Sequence, residues 1–277
     1  MTRPVAVVTG ASSGIGEAYA RDLAAKGRDL VLLARRRERL ESLAAELHEL
    51  HGVSVRVAPC DLADHAGRAA AMAQIDDLGR APEVLVLNAG FTSYGAFADL
   101  PAAREVEMVE LNCLGVLELM RHKLPAMRAA GRGAVVIVSS AAAWQPMPFM
   151  ATYAATKSFE LTLAEGVREE LRGTGVCVVA VLPGPVPTEF GASGGVPGGA
   201  GDGLPYRRPE DVVAATWRAL ARGRGRVSVG PLAVAARLAA VIVPRGLVLA
   251  ATGIAGRRTL RRAEAHARRS SASRARP

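Results

Sequence analysis

Tyr153 and Lys157 stand four residues apart in a stretch with helical spacing, which puts both side chains on one face of a helix. A phenol, with a pKa of about 10, is a poor acid–base group at neutral pH unless its anion is stabilised, and a nearby ammonium does that. A surface i,i+4 pair would explain these two residues alone. It does not explain Ser140, which ends a predicted strand thirteen residues before Tyr153, where ligands of parallel sheets collect. A phenol, an ammonium and a hydroxyl so arranged can pass a proton to or from a substrate oxygen.

A second constellation lies near the N-terminus. Thr9-Gly10-Ala11-Ser12-Ser13-Gly14-Ile15-Gly16 follows the first apolar run and opens a helix. Gly10 can turn tightly, Gly14 lets backbone approach a phosphate, and Gly16 lets helix and strand pack closely. The helix N-terminus then offers free N–H groups and a positive dipole end to a pyrophosphate. At the end of the second strand, where an acid would bind the ribose hydroxyls of NAD, the chain has Ala34-Arg35-Arg36-Arg37 and no acid until Glu38. Arginine suits a 2′-phosphate by charge and by its planar fork. Arg35 is the first choice for that contact and Arg36 the second, which favours NADP (NADPH).

The elements that must position these groups follow from periodicity. Strands are predicted at Val5–Thr9, Leu30–Ala34, Val53–Ala58, Val84–Leu87, Ala134–Ser139, Val176–Leu182 and Val227–Val229. Helices are predicted at Ile15–Lys26, Arg37–His51, Gly67–Leu78, Arg104–Ala130, Thr152–Arg172 and Pro209–Arg222. Strands apolar on both faces and alternating with helices predict an α/β fold, an open, doubly wound parallel sheet of about seven strands with helices on both faces. Residues 1–230 form that domain, 231–256 an apolar C-terminal extension, and 257–277 a basic tail of frayed helix or disorder. Gly191–Gly203 is glycine-rich enough to read as a mobile loop.

Composition excludes several function classes. Half of the 277 residues are hydrophobic but only 4% are aromatic, which argues against a nucleic-acid surface of stacked rings. The tail from Arg257 holds eight Arg and one Glu, leaving the other 256 residues with only +2 of the total +9. Cys60, Cys113 and Cys177 form no C-x-x-C pair, so neither a disulfide scaffold nor a metal site is expected and a reduced cytoplasmic setting fits. No secretory signal fits ahead of Val5. The uncharged pieces between Val227 and Gly256 fall short of the roughly 20 residues a membrane-spanning helix needs.

The sequence resembles the classical short-chain dehydrogenase/reductase family from about Val5 to Val229. The resemblance rests on Thr9–Gly16, C-D-L (Cys60–Leu62), L-N-A-G (Leu87–Gly90), E-L-N (Glu110–Asn112), V-S-S (Val138–Ser140), Y-A-A-T-K (Tyr153–Lys157) and P-G-P-V-P-T (Pro183–Thr188). The family often has Asn where this chain has Leu87. The resemblance implies a single Rossmann-type domain, Tyr153 as catalytic acid/base, Ser140 orienting the substrate carbonyl, Lys157 binding the ribose while lowering the Tyr153 pKa, and Asn112 holding a relay water. It further implies a cofactor site of Gly10, Ser12, Ser13, Gly14, Ile15, Gly16, Arg35, Arg36, Asp61, Leu62, Asn88, Ala89, Gly90, Tyr153, Lys157, Pro183, Gly184, Val186 and Thr188, with Ser139 structural. Taken singly, Asn112 could equally be a locally bonded helix residue, Asp61 a helix cap, and Asn88-Ala89-Gly90 an ordinary strand-end turn.

The implied function is NADPH-dependent carbonyl reduction or alcohol oxidation on a small-molecule, hydrophobic or acyl-type substrate, by a cytoplasmic homodimer or homotetramer. A cofactor-binding regulator or scaffold without turnover is the alternative, but such proteins usually lose the Tyr or the Lys. For Leu232–Ala251 the readings are a helix packed on its own subunit or a neighbour, a lipophilic entrance, or peripheral membrane contact.

Overall fold

The computed structural model describes residues 3–196 and 206–274. Seven strands, β1 (Val5–Thr9), β2 (Asp29–Ala34), β3 (Val55–Pro59), β4 (Val84–Leu87), β5 (Gly133–Val138), β6 (Val176–Pro183) and β7 (Arg226–Val229), form one parallel sheet in the order β3-β2-β1-β4-β5-β6-β7. Alternate residues serve opposite faces, as the two-residue strand period requires. Ala6, Val8, Leu30 and Leu32 enter one buried cluster, whereas Val5, Val7, Val31 and Leu33 enter another on the far side. Sequence runs without polar alternation become a sheet covered on both faces.

The first cluster is capped by α1 (Gly14–Ala25), α2 (Arg37–His51) and α8 (Pro209–Ala221), through Leu23, Leu40 and Val212. The second is capped by α3 (His65–Asp76), α5 (Gly115–Ala129) and α6 (Ala151–Glu170), through Ile75, Leu119 and Leu161. The strand order reverses between β1 and β4, which opens a crevice beyond their carboxyl ends. Buried Thr9 locks that point, its Oγ1 accepting from the backbone N–H of Asn88 at 2.8 Å and of Ala89 at 3.0 Å.

The single helix expected over Arg104–Ala130 is three pieces: α4 (Ala102–Val109), a π turn over Glu110–Leu114, and α5. The widened turn carries Asn112, whose side chain has fixed partners. Its Oδ1 accepts from Phe91 N–H at 3.2 Å, and its Nδ2 donates to Phe91 O at 3.1 Å and Thr156 Oγ1 at 3.0 Å. Such turns recur at functional sites, and hydrophobic periodicity gives no sign of one extra residue. The predicted strand over Ala134–Ser139 ends one residue earlier, leaving Ser139 and Ser140 in the loop.

The loop expected over Gly191–Gly203 begins inside a short helix, α7 (Glu189–Ser193), and its 197–203 part lies outside the described residues. Beyond β7 come α9 (Pro231–Ile242) and α10 (Arg245–Arg274). The basic stretch read as frayed helix or disorder thus continues as helical backbone to Arg274, in keeping with its Ala- and Arg-rich composition.

Candidate active site

A cavity of about 810 Å³ opens at the strand carboxyl ends, and every residue expected to contact the cofactor lines it except Gly16. Gly16 acts from behind. A Cβ there would stand 2.2 Å from Gly10 O, so only hydrogen lets α1 start this close to the turn. Gly10 and Gly14 adopt φ of 65° and 59°, and a Cβ on Gly14 would meet Thr188 Cγ2 at 2.8 Å. The floor of this cradle is therefore bare backbone facing the N-terminus of α1, which fits a dinucleotide pyrophosphate.

The two arginines diverge. Arg36 reaches back over the glycine turn, donating from Nε to Ser12 Oγ at 3.1 Å and from Nη2 to Ser13 Oγ at 2.8 Å. Arg35 leans the other way, toward Asp61 at 3.6 Å and Glu107 at 3.5 Å. Glu189 of α7 pairs with Arg36 at 2.6 Å and Arg39 at 2.7 Å, and these two cations hold its carboxyl below the usual range. Asp61 accepts from Ala63 N–H at 3.0 Å, while the cap of α3 is Asp64, bonded to Gly67 N–H at 2.8 Å. Asp61 is thus free of the capping duty that its sequence position could have implied.

Tyr153, Lys157 and Ser140 meet in the wall of the cavity. Tyr153 is 7% exposed and sits against Phe190, ring centroids 5.8 Å apart. Burial raises its pKa, while the Lys157 charge and a hydrogen bond with the Ser140 side chain pull it back. Ser140 Oγ also accepts from Ala142 N–H at 3.1 Å, starting a short 3-10 turn that fixes the hydroxyl. Ser139 points elsewhere, donating to Lys157 O at 2.8 Å and so holding α6 to the end of β5.

The Lys157 ammonium lies 5.9 Å from the Tyr153 ring centre and donates to Val138 O at 3.1 Å. Its strongest partner is Glu160, at 2.8 and 3.0 Å to the two carboxylate oxygens. Both side chains are almost completely buried, Glu160 at 1% exposure. Burial pushes the Glu160 carboxyl up to about 7, even with Lys157 pulling it down. Burial also works against the Lys157 charge, yet Glu160 and Tyr153 outweigh it and the Lys157 pKa is raised. Sequence reading missed Glu160. Its one signal is an acid between Phe159 and Leu161, three residues after the lysine.

Asn112 is not part of the cavity wall. Its amide is consumed by Phe91 and Thr156, so the side chain braces the loop after β4 against α6. The rest of the wall was likewise not legible in the motifs: Phe91, Met147, Met150 and Phe190 cluster around Tyr153 and, with Leu232, give the cavity an apolar part. Gln145 also lines it, and its Oε1 is buried with no hydrogen-bond partner among the described residues.

The comparisons with known proteins agree with this geometry. The chain is 34% identical over 180 residues to a 7beta-hydroxysteroid dehydrogenase of Clostridium sardiniense, covering 64% of this chain and 67% of the relative. It is 34% identical over 192 residues to a very-long-chain 3-oxoacyl-CoA reductase of Anas platyrhynchos, covering 67% of this chain but only 60% of that protein's length. A short-chain dehydrogenase of Sphingobium yanoikuyae, solved with NADPH, superposes with a TM-score of 0.77 at 35% identity, over 86% of this chain and 92% of its own. A family profile described as short chain dehydrogenase matches residues 4–194. The chain belongs to the short-chain dehydrogenase family of oxidoreductases.

Proposed function

We propose that the protein is an NADPH-dependent carbonyl reductase, and in reverse an alcohol dehydrogenase, acting on a hydrophobic or acyl-type substrate. One observation carries this reading: Tyr153, Ser140 and Lys157 share a single cavity with the glycine cradle and Arg36. The bound nicotinamide supplies or accepts the hydride. Ser140 donates a hydrogen bond to the substrate oxygen and Tyr153 delivers a proton to it in reduction, or removes it in oxidation. Lys157 stabilises the tyrosinate left behind. The apolar part of the cavity lining, with Met147, Met150 and Leu232, receives the non-reacting part of the substrate.

Two further features support NADP over NAD. No carboxylate ends β2, and the Arg36 guanidinium with the Ser12 and Ser13 hydroxyls makes a compact donor cluster for a 2′-phosphate. A panel of ketones, aldehydes, steroids and acyl thioesters, followed through nicotinamide oxidation, tests the activity. Absence of turnover with every carbonyl would overturn it. Arg36→Ala tests the cofactor. A charge-assisted bond is worth about 1.5–3 kcal/mol, so the KM for NADPH should rise about 10- to 100-fold with little change for NADH. Equal losses for both cofactors would remove Arg36 from the 2′-phosphate.

A further inference from the structure

Nine of the fifteen large hydrophobic side chains exposed among the described residues fall between Leu232 and Ile254, in α9, the turn after it and the first third of α10. The inner faces of these helices have partners. Ala233 and Val248 are buried, and Leu232 and Ala236 line the cavity. Tyr94 donates its hydroxyl proton to Gly256 O at 3.1 Å. A Cβ on Gly256 would meet Phe149 at 2.4 Å and one on Gly253 would meet Pro148 at 3.7 Å, so α10 lies directly on the loop that brings Met147 and Met150 into the cavity wall.

The outer faces have none among the described residues. Val234, Leu238 and Val241 recur at i, i+4 and i+7 and are 43%, 53% and 79% exposed. Ile242 and Val243 extend the patch to the turn before α10. On α10, Leu247, Ile254, Arg258 and Arg261 share one stripe by helical periodicity, apolar first and basic after. An apolar surface this concentrated marks a contact.

Charge selects the occupant. From Pro231 to Pro277 the sequence holds ten arginines and one acid, Glu264. A second copy docked on the same face by two-fold symmetry would bring the arginines of both copies together with almost no carboxylates to pair them. A lipid surface with anionic headgroups offers both an apolar layer and counter-charges. Among the described residues no helix is long and apolar enough to cross a membrane, so the contact would lie along the surface.

We propose that α9 and α10 form a platform that seats the protein on an anionic lipid surface, with the cavity mouth beside it. A lipophilic substrate then passes Leu232 and Ala236 without crossing water. The docking itself does not depend on the catalytic reading, and the Tyr153→Phe protein should bind lipid as the parent does.

Co-sedimentation of the full chain with vesicles tests the proposal, comparing phosphatidylcholine alone with a phosphatidylcholine–phosphatidylglycerol mixture at low and high salt. The parent should bind the phosphatidylglycerol-containing vesicles and be released by salt. Leu238→Asp/Val241→Asp and, separately, Arg257→Ser/Arg258→Ser/Arg261→Ser should each bind at least about tenfold less. Thermal melts and sedimentation velocity on the same proteins check folding and self-association. Equal binding to both vesicle types, or variants that bind as the parent does, would overturn the proposal. So would a stable dimer in buffer that Leu238→Asp/Val241→Asp dissociates without any lipid binding, since that identifies a second copy as the occupant.

Discussion

Replacing Tyr153 by Phe is expected to lower kcat by about 10³-fold or more while NADPH binding survives, because a positioned acid–base group contributes on the order of 10²–10⁴. The substitution deletes one oxygen. The ring is 7% exposed and sits 5.8 Å from Phe190, so a phenylalanine can keep that packing. What disappears is the proton that the substrate oxygen needs, together with the bond to Ser140. Lys157 stays in place through Val138 O and Glu160, so the cofactor side of the cavity is left intact. Fluorescence titration with NADPH checks binding, and single-turnover reduction checks chemistry. Undiminished turnover would remove Tyr153 from proton transfer, whereas loss of binding and turnover together would mean that the hydroxyl holds the cofactor rather than supplying the proton. Ser140→Ala should lose less, because Tyr153 can still deliver its proton to a less firmly held oxygen.

The parts legible in the sequence are those encoded locally. The strand β1 is four apolar residues and Thr9, followed at once by a glycine at positive φ, and it lies where expected with all five residues buried. Tyr153 and Lys157 were legible because a helix converts a spacing of four into one face. The π turn at Glu110–Leu114 was not, since it depends on Asn112 meeting Phe91 and Thr156, the latter 44 residues away. The division of labour between Arg35 and Arg36 was also hidden. Both leave the end of β2, and only the placement of Ser12, Ser13 and Asp61 decides which one turns back over the glycine turn. The substrate end is assembled from five separate segments carrying Phe91, Met147, Tyr153, Phe190 and Leu232, none with a recognisable spacing. The buried glutamate was the largest omission, because it raises the pKa of Lys157.

Replacing Lys157 by Met should abolish activity and, unlike Tyr153→Phe, destabilise the fold in a pH-dependent way. Removing one partner of a buried ion pair costs about 3–5 kcal/mol, since the remaining charge has lost its compensation. Here the remaining group is Glu160, at 1% exposure. Its pKa is already about 7 with the ammonium beside it, and rises further when the ammonium is gone. The folded variant then holds a proton that the unfolded chain, with an ordinary value near 4.5, has released. Stability must therefore fall as pH climbs from the unfolded value through the folded one. Urea melts should show a modest loss at mildly acidic pH, where Glu160 is neutral in the fold, and a large loss at alkaline pH. Adding Glu160→Gln to Lys157→Met should recover much of the stability and flatten its pH dependence without restoring turnover. Glu160→Gln alone leaves the Lys157 charge unneutralised, so it should move the Tyr153-dependent limb of the alcohol-oxidation profile to lower pH, in line with the direction in which Glu160 now pushes that phenol. A Lys157→Met protein as stable as the parent at alkaline pH, or a Glu160→Gln profile that does not move, would show that the two charges are not coupled. Glu160 would then be a packing residue, and Tyr153 would be tuned by Lys157, Ser140 and its own burial alone.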